Sequence, residues 1–217
     1  MPPAPMKLAT LLIGLTLLFP GLLFGQGMVE RAELDAQIDP QTQTVYAKAG
    51  LLLRNPGSEP LDVIEFGVPA PLGSRTEVKS VWDRDGQLAW RSDPVEEKQP
   101  RTLQVALRSL LKPGKKIRLV VSFETNLEGM AAGAAASVSA SGAQLATTGW
   151  YPLPVGSGPM PPESLRLTVR LPKEWRVVAP EKVKKIHAGT ALTTYEIGLD
   201  EVRPEQILLR AGPGGPP

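Results

Sequence analysis

From residue 31 to residue 210 the chain alternates apolar and polar side chains in short runs divided by turn residues. This period of two limits the fold more than any other feature, because successive side chains of an extended strand face opposite sides. Ala32, Leu34, Ala36 and Ile38 alternate with Arg31, Glu33, Asp35 and Gln37. Pro40-Gln41-Thr42 turns the chain, and Val45, Ala47, Ala49 and Leu51 mark one face of a return strand over 44–54. Asn55-Pro56-Gly57-Ser58 is a turn by composition. Ile64, Phe66 and Val68 mark the next strand. Asp83-Arg84-Asp85-Gly86 predicts a hairpin between 78–82 and 87–91, since Asp-Gly accepts positive φ. Leu103, Val105 and Leu107, then Ile117, Leu119, Val121 and Phe123, flank the turn Lys112-Pro113-Gly114-Lys115. Leu165, Leu167, Val169 and Leu171 form the clearest alternation, followed by strands over 175–179, 183–187, 191–197 and 206–210. No segment shows helical periodicity over two or more turns; 107–111 is the nearest candidate, and at most one turn fits there. The expected class is all-β, with one apolar and one wet face per strand, as a sandwich or curved, mostly antiparallel sheet.

Three stretches depart from the pattern. Residues 130–149 are small and uncharged, and read first as a loop, with a short Ala-rich helix or a flap as alternatives. A sub-boundary is expected within 129–163, inside a β domain over 28–211. The end of the chain, Ala211 to Pro217, is rich in Gly and Pro; it predicts neither helix nor strand, with 212–217 as a disordered tail. Residues 1–27 read as a cleaved export signal, with Lys7 before an apolar run over 8–24 and small residues Gly25 and Gly27 before the cut. The run is slightly shorter than the ~20 residues of a membrane span. An uncleaved anchor is the alternative, and the only membrane contact expected. The location follows as periplasmic or extracellular.

Charge and reactive residues narrow the chemistry. Lys7 is the only charge before the cut, so the 24 basic residues fall to 23 against 22 acidic ones. That balance gives no field for nucleic acid. The chain has one histidine, His187, and no cysteine. A zinc hydrolase draws on several nitrogen or sulfur ligands, and a nucleophile needs an oriented base. His187 lies in the basic stretch Lys182-Val183-Lys184-Lys185-Ile186-His187 and reads as a surface strand residue. No catalytic, metal or cofactor residue is assigned, and no cofactor is expected. Trp82 and Trp90 are expected to pack across their hairpin or in the core. Trp150 and Tyr151, beside the small-residue segment, are core residues or an interaction surface, with Gln144 nearby.

Taken in order, several pieces resemble the N-terminal β domain of the zinc aminopeptidases related to aminopeptidase N. An opening hairpin ends in Leu51-Leu52-Leu53-Arg54-Asn55 and leads to Pro60-Leu61-Asp62-Val63-Ile64. The strand pair over 110–121 and the corner Trp150-Tyr151-Pro152, followed by Leu165-Arg166-Leu167-Thr168-Val169-Arg170-Leu171-Pro172, are similar to that family's. The resemblance implies a large, mostly antiparallel, saddle-shaped domain. The family binds zinc through H-E-x-x-H in a following domain, a motif this sequence lacks. Its N-terminal domain helps cradle a substrate amino terminus, often through a Gln, but the surroundings of Gln144 do not match and the role is not transferred. The expected function is a non-catalytic exported module binding a protein or peptide partner in the cell envelope. The alternatives are one piece of a split or truncated aminopeptidase and an unrelated adhesion or assembly sandwich.

Overall fold

A computed structural model describes residues 27–68, 72, 75–93, 101–131, 134–155, 161–179, 183–204 and 206–214. The expected signal up to residue 26 and the last three residues lie outside them. The elements are β1 (Met28–Asp39), β2 (Thr44–Arg54), β3 (Leu61–Val68), β4 (Thr76–Asp83), β5 (Gly86–Gln87), β6 (Trp90–Ser92), β7 (Arg101–Leu111) and β8 (Lys116–Asn126), then β9 (Ala136–Ser139), β10 (Gly142–Ala146), β11 (Leu153–Pro154), β12 (Ser164–Pro172), β13 (Trp175–Val178), β14 (Val183–Ala188), β15 (Leu192–Leu199) and β16 (Ile207–Pro213).

Among the described residues these strands form three sheets. The largest has eight strands in the order β14-β15-β12-β1-β2-β8-β4-β5. Two four-stranded sheets run β13-β16-β10-β9 and β11-β3-β7-β6. Every pairing is antiparallel except β1 with β12, where Arg31 aligns with Ser164 and Gln37 with Arg170. A parallel neighbour needs a long crossover, and here the whole segment between the two strands supplies it. The all-β class and mostly antiparallel architecture hold.

The predicted alternation sets the core. Ala32, Leu34, Ala36 and Ile38 of β1 are buried together with Val45, Ala47, Ala49, Leu51 and Leu53 of β2 and Leu119, Val121 and Phe123 of β8. The same cluster includes Leu165, Leu167 and Val169 of β12, Phe66 and Val105 of β3 and β7, and Leu145, Leu208 and Leu209 of β10 and β16. One core thus joins all three sheets, and the chain lacks cysteine to staple them.

Three expectations are corrected. Residues 136–146 are not a loop but the hairpin β9–β10, in which Ala136, Val138, Ala143 and Leu145 face the core. Their small size suits a close approach: a Cβ on Gly142 would stand 2.8 Å from the Ala211 carbonyl oxygen. Ala211, Gly212 and Pro213 extend β16 rather than a tail, pairing with Val177, Arg176 and Trp175. Pro213 sits at the strand's end, where a missing N–H is tolerated. In keeping with the lack of helical periodicity, residues 107–111 continue β7, with a bulge, since Leu61 pairs with Leu111 but Val63 with Ala106. The bulge carries Arg108 to Asp83 and to the Gln87 carbonyl.

The third correction concerns Trp82, which does not pack across the hairpin or in the core, whereas Trp90, half-buried, packs against the core as expected. The hairpin after β4 pairs only Trp82 with Gln87 and Asp83 with Gly86. The chain then leaves the large sheet, and Trp90 pairs with Val105 in another. Trp82 is 43% exposed. A bulge between Val78 and Ser80 shifts the phase of β4, so Val81 faces inward and Trp82 outward.

Candidate functional site

The aromatic corner is structural. Trp150 and Tyr151 are enclosed, 1% and 0% exposed. Their rings meet edge-on with centroids 5.3 Å apart, and Trp150 also packs against Phe123 of β8 at 6.3 Å. Trp150 Nε1 donates to the Ala146 carbonyl over 2.7 Å, and Tyr151 Oη donates to the Thr147 carbonyl over 2.9 Å. Burial pushes the Tyr151 phenol far above its ordinary value, because the ionised form has no water to solvate it. With their rings closed in, these two residues offer a partner no surface. The packing alternative accounts for them. Gln144 on β10 is half-buried; its Nε2 donates to the Ala134 carbonyl over 3.3 Å and its Oε1 accepts from Arg210 Nε over 3.2 Å. It braces the hairpin against β16. His187 lies on β14, exposed, at the edge of the large sheet.

The polar side chains that do converge lie on the wet face of the eight-stranded sheet. Register builds this face in rows. Thr194, Arg170, Gln37, Tyr46, Glu124 and Glu77 align across six strands. The next row is Glu196, Thr168, Asp35, Lys48, Ser122 and Ser80. Ion pairs stitch the rows. Arg170 grips the Asp35 carboxylate through both terminal nitrogens, which raises the guanidinium pKa. Lys79 stands 2.8 Å from Glu77 and 2.9 Å from Glu124. Those bonds raise the Lys79 ammonium, and the one from Lys79 is the main reason the Glu77 carboxyl is lowered. Arg118 reaches Glu33 at 2.5 Å by lying over Gly50, where a Cβ would stand 3.3 Å from its guanidinium.

Between the two rows lies an open concavity of about 290 Å³, lined by Asp35, Gln37, Tyr46, Lys48, Lys79, Ser122, Glu124 and Arg170 together with Ala47 and Phe123. None of these was singled out from the sequence. The alternation puts each on a wet face, but only the register of five strands brings them together. Among the described residues no group of three or more His, Cys, Asp or Glu is placed to hold a metal.

No family model matches the chain, and no curated protein matches it in sequence. Solved structures do match. The M1 zinc metallopeptidase from Deinococcus radiodurans superposes with a TM-score of 0.63 at 16% identity, covering 87% of this chain and 42% of that one. A mutant from the same organism bound to a Tyr-Ser-Ala substrate gives 0.65 at 17% identity, covering 87% and 43%. A mutant of a two-domain M1 zinc metallopeptidase bound to L-arginine gives 0.62 at 15% identity, again covering 87% and 43%. The chain spans less than half the length of these proteins, and at such identities the likeness concerns the fold alone. This chain therefore carries the fold of part of an M1 zinc metallopeptidase, in keeping with the resemblance read from its strand order.

Proposed function

We propose that this chain is an exported β module that binds a protein or peptide partner and leaves catalysis to another polypeptide segment. The observation that carries the reading is the coverage: the fold accounts for 87% of this chain but only 42% of an M1 metallopeptidase. A single histidine cannot form the H-E-x-x-H pair that the resemblance associates with zinc. The wet face of the large sheet supplies a broad surface of aligned polar side chains around an open hollow. The module acts in the periplasm or outside the cell, released after Gly27 or held by its apolar leader.

The test is direct. The purified chain is assayed with aminoacyl substrates and added zinc, then used to capture a partner from the cell envelope whose saturable binding is titrated. Binding without turnover supports the reading. Zinc-dependent aminopeptidase activity of the chain alone overturns it. The same coverage also favours a split aminopeptidase, in which a separate subunit brings the zinc site. Activity appearing only when such a subunit is added selects that reading.

A further inference from the structure

Around the hollow on the wet face, every cation but one is already held by a carboxylate. Arg170 is bound to Asp35, and Lys79 to Glu77 and Glu124. Lys48 is exposed, aligned with Asp35 on one side and Ser122 on the other. It makes no ion pair or hydrogen bond among the described residues, because Arg170 occupies the carboxylate nearest in register. Asp35 is taken by Arg170, and Glu124 is shared with Glu77 on Lys79, so among the three lining cations Lys48 is the one without an ion pair to a described residue, although Glu77 brings the local charge balance to zero. Two residues along β2, on the same face, Tyr46 presents an aromatic ring that is 43% exposed.

Size and charge together select an occupant. At about 290 Å³ and open to solvent, the hollow lies at the small end of ligand pockets, which run ~300–1,000 Å³ and enclose most of their ligand. It suits one or two side chains of a larger partner. An incoming ammonium or guanidinium has to displace Arg170 or Lys79 from its carboxylate. An incoming carboxylate meets Lys48 with no pair broken, and a charge-assisted bond forms beside an aromatic anchor.

We propose that the hollow around Lys48 and Tyr46 docks an acidic segment of a partner polypeptide, which sets a Glu or Asp carboxylate on the Lys48 ammonium and lies across the Tyr46 ring. The inference rests on the partner-binding reading and gives that reading a site and a chemistry.

The isotope-labelled protein is titrated with a hexaglutamate peptide, with hexalysine as the counter-probe, and followed by amide chemical shifts. The expected result is saturable movement centred on Tyr46, Lys48 and Ser122, with affinity reduced at least roughly tenfold in K48M and in S122E. K184M, which removes an exposed lysine on edge strand β14, is expected to bind as wild type. Because Lys48 and Ser122 lie on the wet face, unchanged shifts across the core report that both variants fold. Movements spread over other basic surface, equal binding by K48M, or equal response to hexalysine overturns the site. Capture of one envelope partner by wild type and K48M alike also overturns it while leaving the binding function standing. Failure of the wild type to bind any partner overturns the binding function itself.

Discussion

Asn55 donates from Nδ2 to the Leu111 carbonyl over 2.8 Å, a buried bond between residues 56 apart in sequence. The same nitrogen donates to the Glu59 carbonyl at 2.7 Å, and the side-chain oxygen accepts from the Gly57 N–H at 2.9 Å. Its backbone is held as firmly, bonding the Lys115 carbonyl and the Gly114 N–H. One enclosed side chain thus ties the β2–β3 turn to the β7–β8 turn, and no apolar residue can replace its donors and acceptor. Asn55→Ala, at a residue that is itself 0% exposed, leaves the buried Leu111 carbonyl without its donor, together with the Gly57 N–H and the Glu59 carbonyl of the exposed turn. The expected cost is about 3 kcal/mol, from ~1–3 kcal/mol for each unsatisfied group less what entering water restores. Urea unfolding measures it, and a loss below about 0.5 kcal/mol, the range of an ordinary surface change, refutes this role for Asn55.

Tyr151 links the aromatic corner to the strand before it. Its hydroxyl bonds the Thr147 carbonyl within the core, and the ring packs on Trp150. Tyr151→Phe keeps the ring and removes one hydrogen bond, so about 1–2 kcal/mol is expected to be lost. Trp150→Ala opens a cavity among Phe123 and Tyr151, at an expected cost of ~3–5 kcal/mol. Thermal unfolding gives the order. Equal effects of the two variants are inconsistent with this division between a bond and a cavity.

Strand identity was legible because alternation is a local signal, and its failures are local too. In β1, β2, β8 and β12 large apolar residues contrast with charged neighbours, so the inward face is plain. In β9 and β10 the inward residues include Ala136 and Ala143, too small to stand out from serine and glycine neighbours. Trp82 faces outward because one inserted residue, Lys79, inverts the phase of β4, and nothing in composition announces a bulge. The hollow was invisible for another reason. Asp35 and Arg170 meet only because β1 and β12 are parallel neighbours, 135 residues apart. Register over such separations depends on the assembled core and not on any nearby residues.

The ion pairs of the wet face predict how stability responds to acid. Lys79 holds the Glu77 carboxyl below its ordinary value of 4.5. A carboxyl whose folded pKa is depressed adds stability above its unfolded pKa and loses it as pH falls through the folded value. Wild type is therefore expected to melt slightly above E77Q near neutral pH, and this gap is expected to close on acidification below about pH 4. Both groups are well exposed, so the gap is small and also shrinks in high salt. Melting curves for the two proteins from neutral to acid pH test this. A gap that widens as pH falls reverses the assigned sign.

Gly142 and Gly198 both lie within strands but in opposite surroundings. A Cβ at Gly142 would meet the Ala211 carbonyl oxygen at 2.8 Å, and that oxygen belongs to the backbone of the paired strand β16, so it cannot rotate away. A Cβ at Gly198 meets nothing within 4 Å. Gly142→Ala is accordingly expected to push β10 off β16 and cost ~1–3 kcal/mol, as overpacking does. Gly198→Ala reduces the freedom of the unfolded chain without a clash, and is expected to be neutral or to stabilise by up to ~1 kcal/mol. Urea unfolding of the pair separates the two effects. Amide exchange adds a local readout, since loss of protection in Gly142→Ala is expected to concentrate at Leu209 to Ala211, opposite the substituted strand. If the two alanines behave alike, close approach does not explain why glycine stands at position 142.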